Sequence, residues 1–226
     1  MVPAEPISLL PKLKWQAEAE APASTNAAAL ILYVVLAFVV ERGSDEDVGI
    51  LGRSLVSYTE LETITGLSRK LISTGLKRLV GLNLVTSSGS NQKRIYLIAW
   101  HGGRWFKLPC QAIFKDGKIN AFRQLSLRTK RDLYALKLYL YLASIRDHDR
   151  MFSMASHEKI HKRTGIPVNE IRRAHSLLTS VGLLAGVDRE FKDLEKTNEP
   201  NKYYLTGYQA FGLSHPANAA GLGVVI

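Results

Sequence analysis

Two clusters of side chains in this 226-residue chain have types and spacings that could do chemistry. The first is His157-Glu158-Lys159-Ile160-His161, the H-E-x-x-H spacing in which two imidazoles one helical turn apart hold zinc and the glutamate polarises a water. Its neighbours argue against that use. A third ligand is needed, yet Thr164 and Pro167 stand where the extended pattern places glycine and histidine, and Lys162-Arg163 would repel a dication. No catalytic residue, no metal and no cofactor is expected. The second cluster is a pair of helically spaced sets of cations, amides and hydroxyls. One holds Arg69, Lys70, Ser73, Thr74 and Lys77; the other holds Asn169, Arg172, Arg173 and Ser176, beside Val168. Arginine matches the acceptor edge of guanine and asparagine that of adenine, so their chemistry is the reading of base edges in a major groove. Lys93-Arg94 and Lys162-Arg163 suit phosphate contacts, which set affinity rather than sequence preference.

The elements that would position these residues occur twice. Residues 57–85 (SYTELETITGLSRKLISTGLKRLVGLNLV) align without a gap on residues 156–184 (SHEKIHKRTGIPVNEIRRAHSLLTSVGLL), ninety-nine positions downstream. Ser57/Ser156, Thr65/Thr164, Gly66/Gly165, Ile72/Ile171, Leu79/Leu178 and Leu84/Leu183 are identical, and Leu61/Ile160 and Leu67/Ile166 keep their apolar character. Each copy reads as a helix, a turn at Thr-Gly, a second helix and an apolar exit. In the second helix of the first copy Ile72, Leu76 and Leu79 fall on one face, which leaves the polar set outward. In the first copy residues 84–86 and 94–98 then alternate as strands around Ser87-Ser88-Gly89-Ser90-Asn91, a hairpin signal, and in the second the pair is 183–185 with 203–205.

Upstream helices at 26–42 and 128–146 complete each unit. The spacing therefore predicts a mainly α fold with small β-hairpins, built as two tandem winged helix-turn-helix domains at 24–101 and 102–213. Residues 1–23 form an N-terminal arm and linker, residues 43–53 a polar loop and 214–226 a flexible Ala/Gly-rich tail. Residues 27–40 (AAALILYVVLAFVV) are apolar almost all round, so this helix must be covered on both sides. One side belongs to its own unit, and the other is free for a homodimer.

Net charge is +10 and uneven: residues 1–101 carry ten Lys/Arg and nine Asp/Glu, whereas 102–226 carry twenty and eleven. From Gly66 to His101 there are six bases (Arg69, Lys70, Lys77, Arg78, Lys93, Arg94) and no acid. A solvated basic face would explain positive charge but not this placement, which suits a surface turned toward a polyanion. Cys110 is the only cysteine, which fits a reducing cytosol and a small buried side chain. The opening MVPAEPISLLPKLKWQ has no basic region followed by an apolar one, so a cytoplasmic rather than secreted or membrane chain is expected. Phosphate-binding loops, Cys-x-x-Cys pairs and nucleophile elbows are absent from the sequence.

In Thr65-Gly66-Leu67-Ser68-Arg69-Lys70, in the exit Arg78-Leu79-Val80-Gly81-Leu82-Asn83-Leu84-Val85, and in the Leu/Tyr-rich helix at 133–145, the chain resembles two-winged-helix replication initiators of plasmids and phages. The resemblance spans residues 25–212. It implies binding of repeated origin sites on double-stranded DNA, often as a monomer, repression of the initiator's own promoter as a dimer, and replication proteins as partners. Transcriptional repressors of mobile elements share the turn and the exit, and winged helices also serve as protein–protein interaction modules.

Overall fold

Gly66 and Gly165 lie at φ +75° and +69°, a left-handed backbone that side-chain-bearing residues disfavour, and each ends one helix and starts the turn into the next. The threonine before each is buried and ties the two helices together. Thr164 Oγ1 donates to Ile160 O at 2.7 Å and accepts from Ile166 N at 3.2 Å, and Thr65 repeats both bonds with Leu61 and Leu67. The identical Thr-Gly of the repeat is thus a hydrogen-bonded hinge.

The computed structural model describes residues 2–14, 22–40, 50–89, 94–99, 104–147, 150–188 and 200–209. A short strand β1 (Val2–Pro3), helix α1 (Glu5–Leu9) and a 3-10 turn (Leu10–Lys12) lead into the first unit. That unit is α2 (Ala23–Phe38), β2 (Ile50–Leu55), α3 (Tyr58–Thr65), α4 (Arg69–Gly81), β3 (Val85–Gly89) and β4 (Arg94–Ala99). A second lead-in, β5 (Trp105–Phe106), α5 (Cys110–Ile113) and α6 (Asn120–Arg123), precedes the second unit. This comprises α7 (Lys130–Ile145), β6 (Ser153–Ala155), α8 (His157–Thr164), α9 (Val168–Ser180), β7 (Leu184–Asp188) and β8 (Asn201–Leu205). Among the described residues no helix is long and apolar enough to cross a membrane.

The architecture is mixed helix and sheet rather than mainly helical with hairpins. Each unit carries a three-stranded antiparallel sheet, in the orders β2-β4-β3 and β6-β8-β7. The extra strand β2 takes in part of the expected polar loop at 43–53; residues 41–49 lie outside the described residues, as do 90–93, 189–199 and the tail from 210 on. Its alternation was hidden because the inward positions are Gly52 and Ser54, while Leu55 faces out. Ser54 Oγ donates to Leu36 O at 2.8 Å, and Ser153 Oγ makes the same bond to Leu142 O at 2.7 Å. Each sheet is therefore pinned to the end of its unit's long helix by one buried serine.

Helix starts follow their caps. Ser57 and Glu60 form a capping box on α3, Ser156 accepts from Lys159 N on α8, and Ser68 accepts from Leu71 N on α4. Helix α4 packs closely on α2 because Gly75 faces it: a Cβ there would stand 2.7 Å from Leu32 Cδ1 and 3.2 Å from the Ala28 carbonyl carbon. The alanines at 27–29 leave the room for that approach.

Ala27 through Ala37 are all at most 3% exposed, because α4 covers one side of α2 and α7 of the same chain covers the other. Within this chain, then, the side of residues 27–37 that the sequence leaves free for a second protomer lies against the second unit. Equivalent elements meet across the middle of the chain. Helix α2 packs on α7, and β1 pairs antiparallel with β5, Val2 opposite Phe106 and Pro3 opposite Trp105. The lead-ins are also exchanged. The 3-10 turn at Leu10–Lys12 lies on α8, with Pro11 against Gly165, whereas α6 lies on α3. There Ile119 N donates to Ile64 O at 2.9 Å and Arg123 Nη1 to Thr63 O at 2.9 Å. Like-on-like contact with reciprocal exchange is the pattern of an isologous interface, here inside a single chain.

Candidate nucleic-acid interface

Helix α4 buries Ile72, Gly75, Leu76 and Leu79. Of the residues expected outward, Arg69, Lys70 and Lys77 are exposed, and Ser73 and Thr74 are half-buried. Arg69 is already engaged: its Nε lies 3.0 Å from Glu62 Oε2 and its guanidinium reaches Thr59 Oγ1 at 3.4 Å. Thr74 Oγ1 donates back to Lys70 O at 3.0 Å, so its hydroxyl is in part absorbed by the helix. Lys70 and Lys77 are the long donors on this face that make no such tie among the described residues. Arg78 serves the fold instead. Its Nε donates at 3.1 Å to Oδ1 of Asn26, a fully buried residue whose amide in turn holds Lys14 O at 3.1 Å. Arg94 begins β4 with its guanidinium 5.8 Å from the centre of the Tyr58 ring, close enough for a cation–π contact. Lys93 lies outside the described residues.

Helix α9 buries Glu170, Ile171, Ala174 and Leu178, which leaves Val168, Asn169, Arg172, Arg173 and Ser176 exposed, as the register predicted. Glu170 is the unexpected member. It is 4% exposed and receives Lys130 Nζ at 3.0 Å and Arg173 Nη1 at 3.2 Å. The Lys130 hydrogen bond, with both cations adding to it, holds its carboxyl below the usual carboxylate range. Arg172 stands at the junction of two concavities. One, of about 530 Å³, lies between α8, α9 and the β7–β8 sheet and includes His157, His175, Asp188 and Asn201; the other runs between α7 and α9 past Arg131, Arg173 and Ser176. A long donor there reaches either wall.

Lys162 and Arg163 are exposed in the last turn of α8, where cations also favour the helix dipole. The two histidines of the H-E-x-x-H stretch take different roles: His161 Nδ1 lies 2.8 Å from Ile166 O, while His157 faces the concavity beside Arg172. Among the described residues no group of three His, Cys, Asp or Glu is placed to hold a metal ion.

Sequence reasoning missed two cations that serve the turns. Arg123 reaches carbonyls at the C-terminus of α3, and Lys137 Nζ donates to Thr164 O at the C-terminus of α8 at 2.9 Å. Burial pushes the Lys137 ammonium down to about 8. The signal for Lys137 was present, since it is the one cation in the otherwise apolar stretch 133–143; Arg123 had none.

Compared with family models, curated proteins and solved structures, the chain finds no match.

Proposed function

We propose that this chain is a sequence-specific double-stranded-DNA-binding protein whose two winged-helix units each lay one helix, α4 or α9, in a major groove. The observation that carries this reading is the matched division of those helices. Ile72/Ile171, Gly75/Ala174 and Leu79/Leu178 are buried, while the cations and short polar groups between them face out. Asn169 and Arg172 are the side chains for base edges in one segment, and Lys70 and Ser73 take their places in the other. Lys77, Arg94, Lys162 and Arg163 fall to the phosphates. Arg131, between α7 and α9, joins them.

The like-on-like packing of α2 with α7 supports a pair of reading helices related by a rough two-fold axis. Such a pair approaches two segments in opposite orientation. The segments differ in sequence, because Lys70, Ser73 and Thr74 stand opposite Asn169, Arg172 and Arg173 in the repeat. A single chain thus does what a symmetric dimer does on a palindrome, with unequal halves. The resemblance to plasmid and phage replication initiators makes origin binding the preferred role, with regulation of a mobile element's promoter as the alternative.

Selection of duplexes from a random pool tests the proposal. Enrichment of one motif with two unlike segments about one helical turn apart supports it. No enrichment at moderate salt overturns it in favour of an acidic protein partner. Footprinting on DNA flanking the gene then separates the roles: an array of evenly spaced protections marks an origin, a single protection an operator.

A further inference from the structure

Where the N-terminal arm crosses the turn between α8 and α9 there is a pocket of about 620 Å³. Its wall holds Pro11 and Lys14 from the arm, Lys130, Tyr134 and Lys137 from α7, and Pro167 at the start of α9. Three lysines from two distant stretches of chain thus line it, and no carboxylate is among the described residues that do. Lys130 shares the neighbouring Glu170 with Arg173. Among the described residues no carboxylate pairs with Lys137, which is 1% exposed and donates to the Thr164 carbonyl at 2.9 Å. The carbonyl at the C-terminus of α8 offsets only part of the cost of burying this cation, and an anion in the pocket would offset more. Two features prepare the site. Asn26 holds the backbone of Lys14 in place. The N-terminus of α9 opens here with Pro167 and no side-chain cap, unlike α4 with Ser68; Glu170 N donates to Pro167 O at 2.9 Å, which leaves the amides of Val168 and Asn169 for an anion.

We infer that this pocket binds a phosphate group. The source rests on the reading proposed above: the N-terminal end of a groove-reading helix lies beside the groove wall, so the group is a phosphodiester of the bound duplex. The arm of the first unit then clamps the DNA read by the second. Lys14, Lys130 and Lys137 supply charge and donors, Tyr134 a hydroxyl.

The experiment uses the full chain, unaltered and as the Lys14→Ala/Lys130→Ala variant, with Lys137→Gln as a second variant whose folding is checked by circular dichroism and melting. Selected duplexes carry one neutral methylphosphonate at each backbone position in turn, and inorganic phosphate and pyrophosphate are added to the protein without DNA against chloride of equal ionic strength. The expected result is one backbone position where the neutral linkage weakens the unaltered chain roughly tenfold but leaves the double variant unchanged, with the variant's salt slope shallower by about one. A melting rise of several degrees with phosphate or pyrophosphate, lost in both variants, places a free phosphate compound in the same pocket instead. If no backbone position depends on the lysines and neither anion shifts the melt, the inference fails. Should the unaltered chain bind no duplex at all, the DNA reading falls by itself, and the anion melts alone decide the pocket.

Discussion

Arg172→Ala is the substitution that bears most directly on how the two units divide their task. Arg172 leaves the exposed face of α9 one turn from Val168 and Asn169, while its neighbours Ile171 and Ala174 are fully buried, so truncation removes a long donor without opening the core. A bidentate arginine–guanine pair contributes about 1–3 kcal/mol of discrimination, which is roughly five- to 150-fold in affinity for the preferred base. Non-preferred duplexes lose only the general attraction of one positive charge, so the preference ratio at that base pair falls by nearly the whole factor. Arg173→Ala should matter less, because its guanidinium lies 3.2 Å from Glu170 and must leave that partner to reach a base. Anisotropy titrations against duplexes altered one base pair at a time read both effects. Relaxed preference is expected in the α9 segment alone, with the α4 segment unchanged. If both segments relax equally, or if Arg173→Ala has the larger effect, the assignment of α9 to its own segment and of Arg172 as its reader is wrong.

With roughly eight phosphate contacts, log affinity should fall against log salt with a slope near about −7, and a slope near zero removes the electrostatic premise. Gly75→Val places carbon 2.7 Å from Leu32 Cδ1 and against the Ala28 backbone, so α4 must shift. Overpacking of about 1–3 kcal/mol and a melting point lower by roughly 2–4 °C per kcal/mol are expected, and an unchanged melt would mean the α2–α4 contact is looser than described. Lys137 has a sign that can be checked. Its folded value, about 8, lies below the ordinary lysine value of 10.5, so the unfolded chain holds more protons between them and stability rises with pH across that window. The gain from this group, about 2–3 kcal/mol between pH 7 and 10, should vanish in Lys137→Met. Above pH 10 the trend reverses, because burial raises the phenols of Tyr33, Tyr139 and Tyr96, the last to about 12, and the unfolded chain then loses protons first. Denaturant midpoints measured from pH 7 to 10 that stay flat in the unaltered chain would contradict the burial of that ammonium.

Much of the outward polar face of α4 and α9 was legible in the sequence, because helical spacing separates Ile72, Leu76 and Leu79 from Lys70, Ser73 and Lys77, and the second copy repeats the division. The turns were legible for the same reason: Thr-Gly has both the hydroxyl and the positive-φ residue that a tight helix junction needs. The third strands were not. In β2 the inward positions hold a glycine and a serine that bonds a helix carbonyl, so polarity and direction disagree. Arg78 was indistinguishable from its exposed neighbours because its partner, Asn26, lies fifty-two residues away. Nor does any local pattern say that residues 10–13 settle on the second unit and 119–123 on the first, since such contacts are decided by which surfaces remain uncovered once both copies have folded.

That crossing of segments has an outcome for how the molecule can be cut. Separating the chain between residues 101 and 102 would tear from each half the piece that steadies its helix junction: the leading half would keep the support belonging to α8, and the trailing half the one belonging to α3. Neither fragment would be a complete unit, and trimming a dozen residues from the front would injure the far unit before the near one. The two similar halves are therefore not interchangeable spare parts.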